Sequence, residues 1–141
     1  MDRRFLPTLW DHGTGIGAFA TKWEGWKNPL DRAGVEKTTG RINVSHADAI
    51  EEIADEMGIY AVLYEASPGS RYVAYVGYSK GMSTELKIRY GKWRNEGHIE
   101  SRSLAKFPFA AFYLPNQAAA RVYEDDLIRY YCPPWNTKFH R

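Results

Sequence analysis

The chain has 141 residues, 26% charged and 44% hydrophobic, with a net charge of +2; that fits one globular domain with a core of its own. No apolar run nears the roughly 20 residues a membrane helix needs, and no apolar h-region follows the arginines of MDRRFLPTLW, so neither a membrane span nor a signal peptide is expected. The single cysteine, Cys132, excludes an internal disulfide and a cysteine-built zinc site and fits a reducing compartment, so the expected location is cytoplasmic.

Residues 1–44 carry little periodic signal. Gly13, Gly15 and Gly17 alternate in HGTGIGAF, but no strand precedes them and no Walker lysine follows, so a phosphate loop is not expected. Trp10, Trp23 and Trp26 are too many tryptophans for a disordered tail. The segment therefore reads as an N-terminal extension that packs on the domain or joins subunits into a dimer or tetramer. In SHADAIEEIADEM, residues 45–57, Ile50, Ile53, Ala54 and Met57 recur at helical spacing. That spacing predicts a helix capped by Ser45 and ended by Gly58.

IYAVLYEA and RYVAYVGYS flank SPGS, whose Pro-Gly suits a tight turn between two strands. Pairing 66 with 71 places Tyr60 opposite Gly77 and Val62 opposite Tyr75. Tyr60, Val62, Tyr64, Val73 and Tyr75 then share one face. Tyr60 and Tyr75 become diagonal neighbours, roughly 7–8 Å apart at the backbone. Gly77 would leave a gap opposite Tyr60, open to a ligand or marking a bulge. Tyr64, Tyr72 and Tyr78 read as packing residues.

TELKIRYGKWRNE, residues 84–96, predicts a helix with Leu86, Tyr90 and Trp93 inward and Arg89 bordering that stripe. FPFAAFYL, residues 107–114, reads as a third strand. QAAARVYEDDLIRYY, residues 117–131, reads as a long helix stopped by Pro133 and Pro134. On it Glu124 shares a face with Leu127, Ile128 and Tyr131, while Asp125 and Asp126 point outward. A carboxylate on an apolar face needs a partner, either a salt bridge such as one to Arg89 or a metal.

Charge is unevenly spread. Residues 1–58 hold seven Lys/Arg against ten Asp/Glu, and residues 59–141 twelve against seven. Over 80–106, Lys80, Lys87, Arg89, Lys92, Arg94, Arg102 and Lys106 stand against Glu85, Glu96 and Glu100 beside aromatics, which suits a phosphate-bearing partner or a merely solvated face.

In order, the chain presents GIY (58–60), YVG (75–77), Arg89 on the next helix, Glu124 on a later one and Asn136 after two prolines. Over residues 57–138 it resembles the GIY-YIG nuclease family, and its ending is similar to the phage endonuclease II-like and restriction-enzyme branches. The resemblance implies an α/β (α+β) domain over 45–141, with a central three-stranded antiparallel sheet flanked by helices. It implies a metal-dependent endonuclease acting on DNA, and the sequence does not separate DNA from RNA. Glu124 would bind one Mg²⁺ or Mn²⁺, Arg89 would hold the scissile phosphate, and Tyr60 or Tyr75 would help deprotonate the attacking water. Asn136 would orient the glutamate, the phosphate or a loop. A phenol acting as base needs a lowered pKa or an onward proton acceptor, and Lys80 and the metal would pull in that direction. Lys80, Lys87, Lys92 and Arg94 would touch DNA. Where many members carry a histidine or tyrosine one turn after the arginine, this chain has Trp93; His98 is a candidate for the missing role, or a surface histidine. Two other readings stay open: a nucleic-acid-binding module that has lost catalysis, and a structural protein with a buried Glu124–Arg89 pair.

Overall fold

A computed structural model of the chain describes residues 21–26, 41–97, 99, 101–114 and 116–136. Trp10, the glycines of HGTGIGAF and His98 lie outside the described residues. The strands are β1 (Arg41–Ser45), β2 (Gly58–Ser67), β3 (Ser70–Ser79) and β4 (Phe109–Tyr113); the α-helices are α1 (Met82–Asn95) and α2 (Gln117–Tyr131). Two 3₁₀ helices, Ala47–Glu52 and Ser101–Lys106, complete the order.

The fold is α+β. One antiparallel sheet runs in the order β1-β4-β2-β3. The expected three strands are β2, β3 and β4. The fourth, β1, falls in the segment read as an extension. Its five residues, RINVS, take their sheet partners from β4 alone. So short an edge strand is specified by the strand it joins more than by its own pattern.

The hairpin turns at Gly69, whose φ of +81° is one that glycine adopts without strain. The expected register holds from Gly58↔Ser79 through Tyr60↔Gly77 to Val62↔Tyr75. It then slips, because the next pair is Leu63↔Val73. Ala74 is the extra residue of a β-bulge. Val73, expected on the Tyr60 face, packs instead with Leu63 and Val76 on the other, and Ala74 takes its place beside Tyr60 and Val62.

A helix covers each face. Met82, Leu86, Tyr90 and Trp93 of α1 pack with Tyr60, Val62, Phe109 and Ala111. Ala120, Tyr123, Leu127, Ile128 and Tyr131 of α2 pack with Ile59, Ala61, Leu63 and Phe112. Trp23 and Trp26 join this second core, as their number suggests: Trp23 stacks on Tyr131 at 5.5 Å and Trp26 meets Phe112 edge-on at 5.7 Å.

The outer edge of β3 would expose a row of unpaired backbone groups. Two distant segments cover it. Trp23 N donates to Arg71 O at 3.0 Å and Val73 N to Thr21 O at 2.9 Å. Further along, Trp135 N donates to Ala74 O at 2.9 Å. The side chain of Asn136 accepts from Val76 N and donates to Val76 O, both at 2.8 Å. Cys132, in the left-handed conformation, ends α2, and the prolines turn the chain around the sheet edge. That turn puts Trp135 into the α1 face against Trp93 and Phe107, at 4.8 and 5.3 Å.

The helix expected over 45–57 is a single 3₁₀ piece, Ala47–Glu52. Ser45 ends β1, and His46 is the cap, its Nδ1 accepting from Asp48 N. Beyond Glu52 the backbone serves neighbours instead. Ala54 N donates to the Tyr113 hydroxyl, Glu56 O accepts from Met82 N and Met57 O accepts from Leu114 N. Asp55 caps α1 from outside, accepting from Thr84 N at 2.9 Å and Thr84 Oγ1 at 2.8 Å. The bond from the Thr84 backbone holds the Asp55 carboxyl below its usual pKa.

Candidate active site

Tyr60, Tyr75 and Arg89 meet between α1 and the β2–β3 hairpin. The preserved part of the register sets the two tyrosines diagonally on the α1 face. Their rings stack, with centroids 6.0 Å apart and planes 29° apart. Opposite Tyr60, Gly77 leaves no open gap: a Cβ there would lie 2.6 Å from the Tyr60 hydroxyl and 2.9 Å from the Tyr75 ring. The space a larger residue would take is filled by the phenol. Tyr60 is fully buried, and Tyr75 is partly exposed.

Arg89 projects from the middle of α1 over the Tyr75 ring, its guanidinium carbon 5.2 Å from the centroid. Its Nε donates to Glu85 Oε2 at 2.9 Å, one helical turn earlier. The Tyr60 hydroxyl donates to the same oxygen at 3.1 Å. Among the described residues the ion pair of Arg89 is therefore with Glu85; a pair with Glu124 was one of the alternatives the sequence left open. Trp93, standing where many members of the resembled family carry a histidine or tyrosine, meets Tyr75 edge-on at 5.3 Å and is buried against Trp135. It holds the Tyr75 ring in place and carries no titrating group.

Glu124 is buried on α2, as its place among Leu127, Ile128 and Tyr131 predicted. Asp126, expected to point outward, is buried as well. The charge of Glu124 reaches Tyr75, where it favours the protonated phenol. Asn136 spends both ends of its amide on Val76 and so fixes the segment after α2. Among the four basic candidates, Lys87 pairs with Glu51 at 3.2 Å and Lys92 approaches Glu96 at 4.0 Å. Lys80 and Arg94 are exposed.

Among the described residues no group of three or more His, Cys, Asp or Glu gathers to cage a metal. Mg²⁺ characteristically keeps several waters and takes one or two carboxylates plus substrate phosphates. A single hard oxygen donor such as Glu124, buried yet felt at Tyr75, fits that habit.

Burial dominates the titration of both phenols. Burial pushes Tyr60 well above the ordinary phenol value, with Tyr75 and Glu85 adding to it and Arg89 opposing. Burial also raises Tyr75, against the pull of Arg89 and a hydrogen bond with Tyr60. Near neutral pH both phenols are therefore protonated, and Tyr60 spends its proton on Glu85. Burial also works against the charge of Arg89, but the adjoining phenols and the bond to Glu85 outweigh it, and its pKa rises.

The same burial predicts alkaline sensitivity. Tyr60 and Tyr90 are raised in the fold and titrate near 10 once unfolded. Their contribution is intact below pH 10 and is lost as pH rises from there towards their folded values. Each subtracts about 1.4 kcal/mol per pH unit in that window. Urea titrations at pH 8, 10 and 11 should show a midpoint level to pH 10 and falling steeply above it, with a shallower fall in Tyr60→Phe.

Comparison of the chain with family models, with curated proteins and with solved structures finds no match. Two participants escaped the sequence reading. Glu85 stands four residues before Arg89, the helical spacing of a Glu–Arg pair, and that signal was there to be read. Trp135 gave none, since its contacts arise only when the chain rounds the sheet edge.

Proposed function

We propose that the protein is a metal-dependent endonuclease that hydrolyses phosphodiester bonds of DNA, of the GIY-YIG type. The observation that carries this reading is the convergence of Tyr60, Tyr75 and Arg89, from three elements, at a partly exposed spot within electrostatic reach of Glu124. An arginine clamped between a carboxylate and a phenol face is suited to bind a phosphodiester and to stabilise charge building on its oxygens.

In this reading Arg89 binds the phosphate; its Nε is already bonded to Glu85, and its terminal nitrogens would meet the ligand. Tyr75, the more exposed phenol, donates a hydrogen bond to the attacking water or to a phosphate oxygen and orients it. Tyr60 braces Tyr75 from behind and sends its own proton toward Glu85. Mg²⁺ or Mn²⁺ held by Glu124 would supply Lewis-acid stabilisation of negative charge. Trp93 and Trp135 exclude water behind the rings. Lys80 and Arg94, both exposed, would meet neighbouring phosphates, and such contacts weaken with salt.

The test is supercoiled plasmid incubated with the protein in Mg²⁺, in Mn²⁺ and in EDTA. Nicked or linear product in either metal and none in EDTA is the expected result. DNA retarded on a gel with no product in any condition would replace the reading with a binding module. Neither binding nor product would remove nucleic acid altogether.

A further inference from the structure

Glu85 has a place at this site that the motif does not assign. Its Oε2 accepts two hydrogen bonds, from Tyr60 of β2 and from Nε of Arg89. The Tyr60 donor is fully buried, while the carboxylate side chain is 25% exposed and that of Arg89 33%. A negative charge beside a phosphate-binding arginine weakens the attraction of the pocket for a polyanion. A residue that does so and is also tied to a buried phenol has another use in the arrangement.

We propose that Glu85 is a positioning residue: it holds Arg89 so that only the terminal nitrogens of the guanidinium face the phosphate, trading ground-state affinity for alignment. Arginine can meet a phosphate either through Nε and one terminal nitrogen or through both terminal nitrogens. With Nε bonded to Glu85, the second mode is left. The guanidinium also lies over the Tyr75 ring, 5.2 Å from its centroid, and the Tyr60 hydroxyl holds the carboxylate in turn. A long side chain on a half-exposed helix face is thereby restricted to one pose. Small misplacements of such groups cost rate far more than binding.

The inference rests on the nuclease reading, and it predicts opposite movements of binding and rate. Glu85→Gln keeps the size and an acceptor but loses the charge, so its bond to Arg89 is weaker. Binding of a fluorescent DNA duplex in EDTA should tighten severalfold, because the pocket gains one net positive charge. The single-turnover cleavage rate in Mg²⁺ should fall about tenfold to a hundredfold. Glu85→Ala should move both quantities in the same directions and further. Independently of cleavage, the Arg89 Nε–H proton, followed by NMR, should exchange with solvent at least tenfold faster in Glu85→Ala. A thermal melt of each variant separates these effects from loss of fold. Unchanged cleavage in Glu85→Ala, or unchanged Nε–H exchange, would overturn the assignment while the nuclease reading stood. Weaker binding together with a lowered melting temperature would make Glu85 a stability residue. A wild-type protein that cuts no DNA in either metal would end the nuclease reading, and the Glu85 assignment with it.

Discussion

Arg89→Ala is expected to slow DNA cleavage by about 10²–10³-fold, as loss of one preorganised donor to a developing anion does elsewhere. Glu124→Gln should lose at least as much, since an amide of the same shape is a poor ligand for a hard cation. Both variants should stay folded. The Arg89–Glu85 pair is partly solvated, and such pairs contribute about 0–1 kcal/mol to stability. Glu85 would keep its bond from Tyr60 and its exposure to water, so no stranded buried charge results. Arg89→Lys should recover little, because an ammonium cannot bond Glu85 and present two coplanar donors to a phosphate at once. Plasmid nicking, with circular dichroism on the same samples, decides between this and the structural alternative. Were Arg89 and Glu124 only structural, the variants would cut like the wild type, and a buried Glu124 would cost several kcal/mol on replacement.

Asn136→Ala should act through stability. The amide forms a short two-bond ladder with Val76, which is fully buried on the outer edge of β3. Alanine would leave a buried N–H and a buried C=O without their partner, at about 1–3 kcal/mol for each group. A loss of about 2–4 kcal/mol is expected in urea unfolding, or roughly 10 °C in melting temperature. Asn136→Asp should be nearly as harmful, because a carboxylate cannot donate to Val76 O. Trp135, anchored through the next residue, would lose its seat against Trp93, and the support behind Tyr75 would loosen. Cleavage should therefore fall with the fold and recover in part on cooling. A variant that melts like the wild type and fails to cut would assign Asn136 to the substrate instead.

The two predictions draw on different kinds of information. Much around Arg89 is local and could be read along the chain. Helix α2 runs over the predicted 117–131 because its apolar spacing is strong and two prolines follow it. The burial of Glu124 comes from the same periodicity. The Tyr60–Gly77 and Val62–Tyr75 pairs come from the Pro-Gly turn and the period of two. Each depends on neighbours within a turn or across one hairpin, where sequence spacing and spatial proximity are nearly the same thing.

What the pattern could not carry depends on groups meeting across long separations. One extra residue at Ala74 moved Val73 to the opposite face, and no alternation rule announces a bulge. β1 exists because β4 offers it an edge. The segment after Glu52 leaves the helix because Tyr113, Met82 and Leu114 claim its backbone. The sharing of Glu85 Oε2 by Tyr60 and Arg89 joins residues 25 positions apart. The upward shift of both phenols follows from desolvation, a property of the surrounding volume. Residue types and their local period settled which side chains could take part. Packing settled which of them meet, and with what protonation, because burial and long-range hydrogen bonds are set by the whole fold.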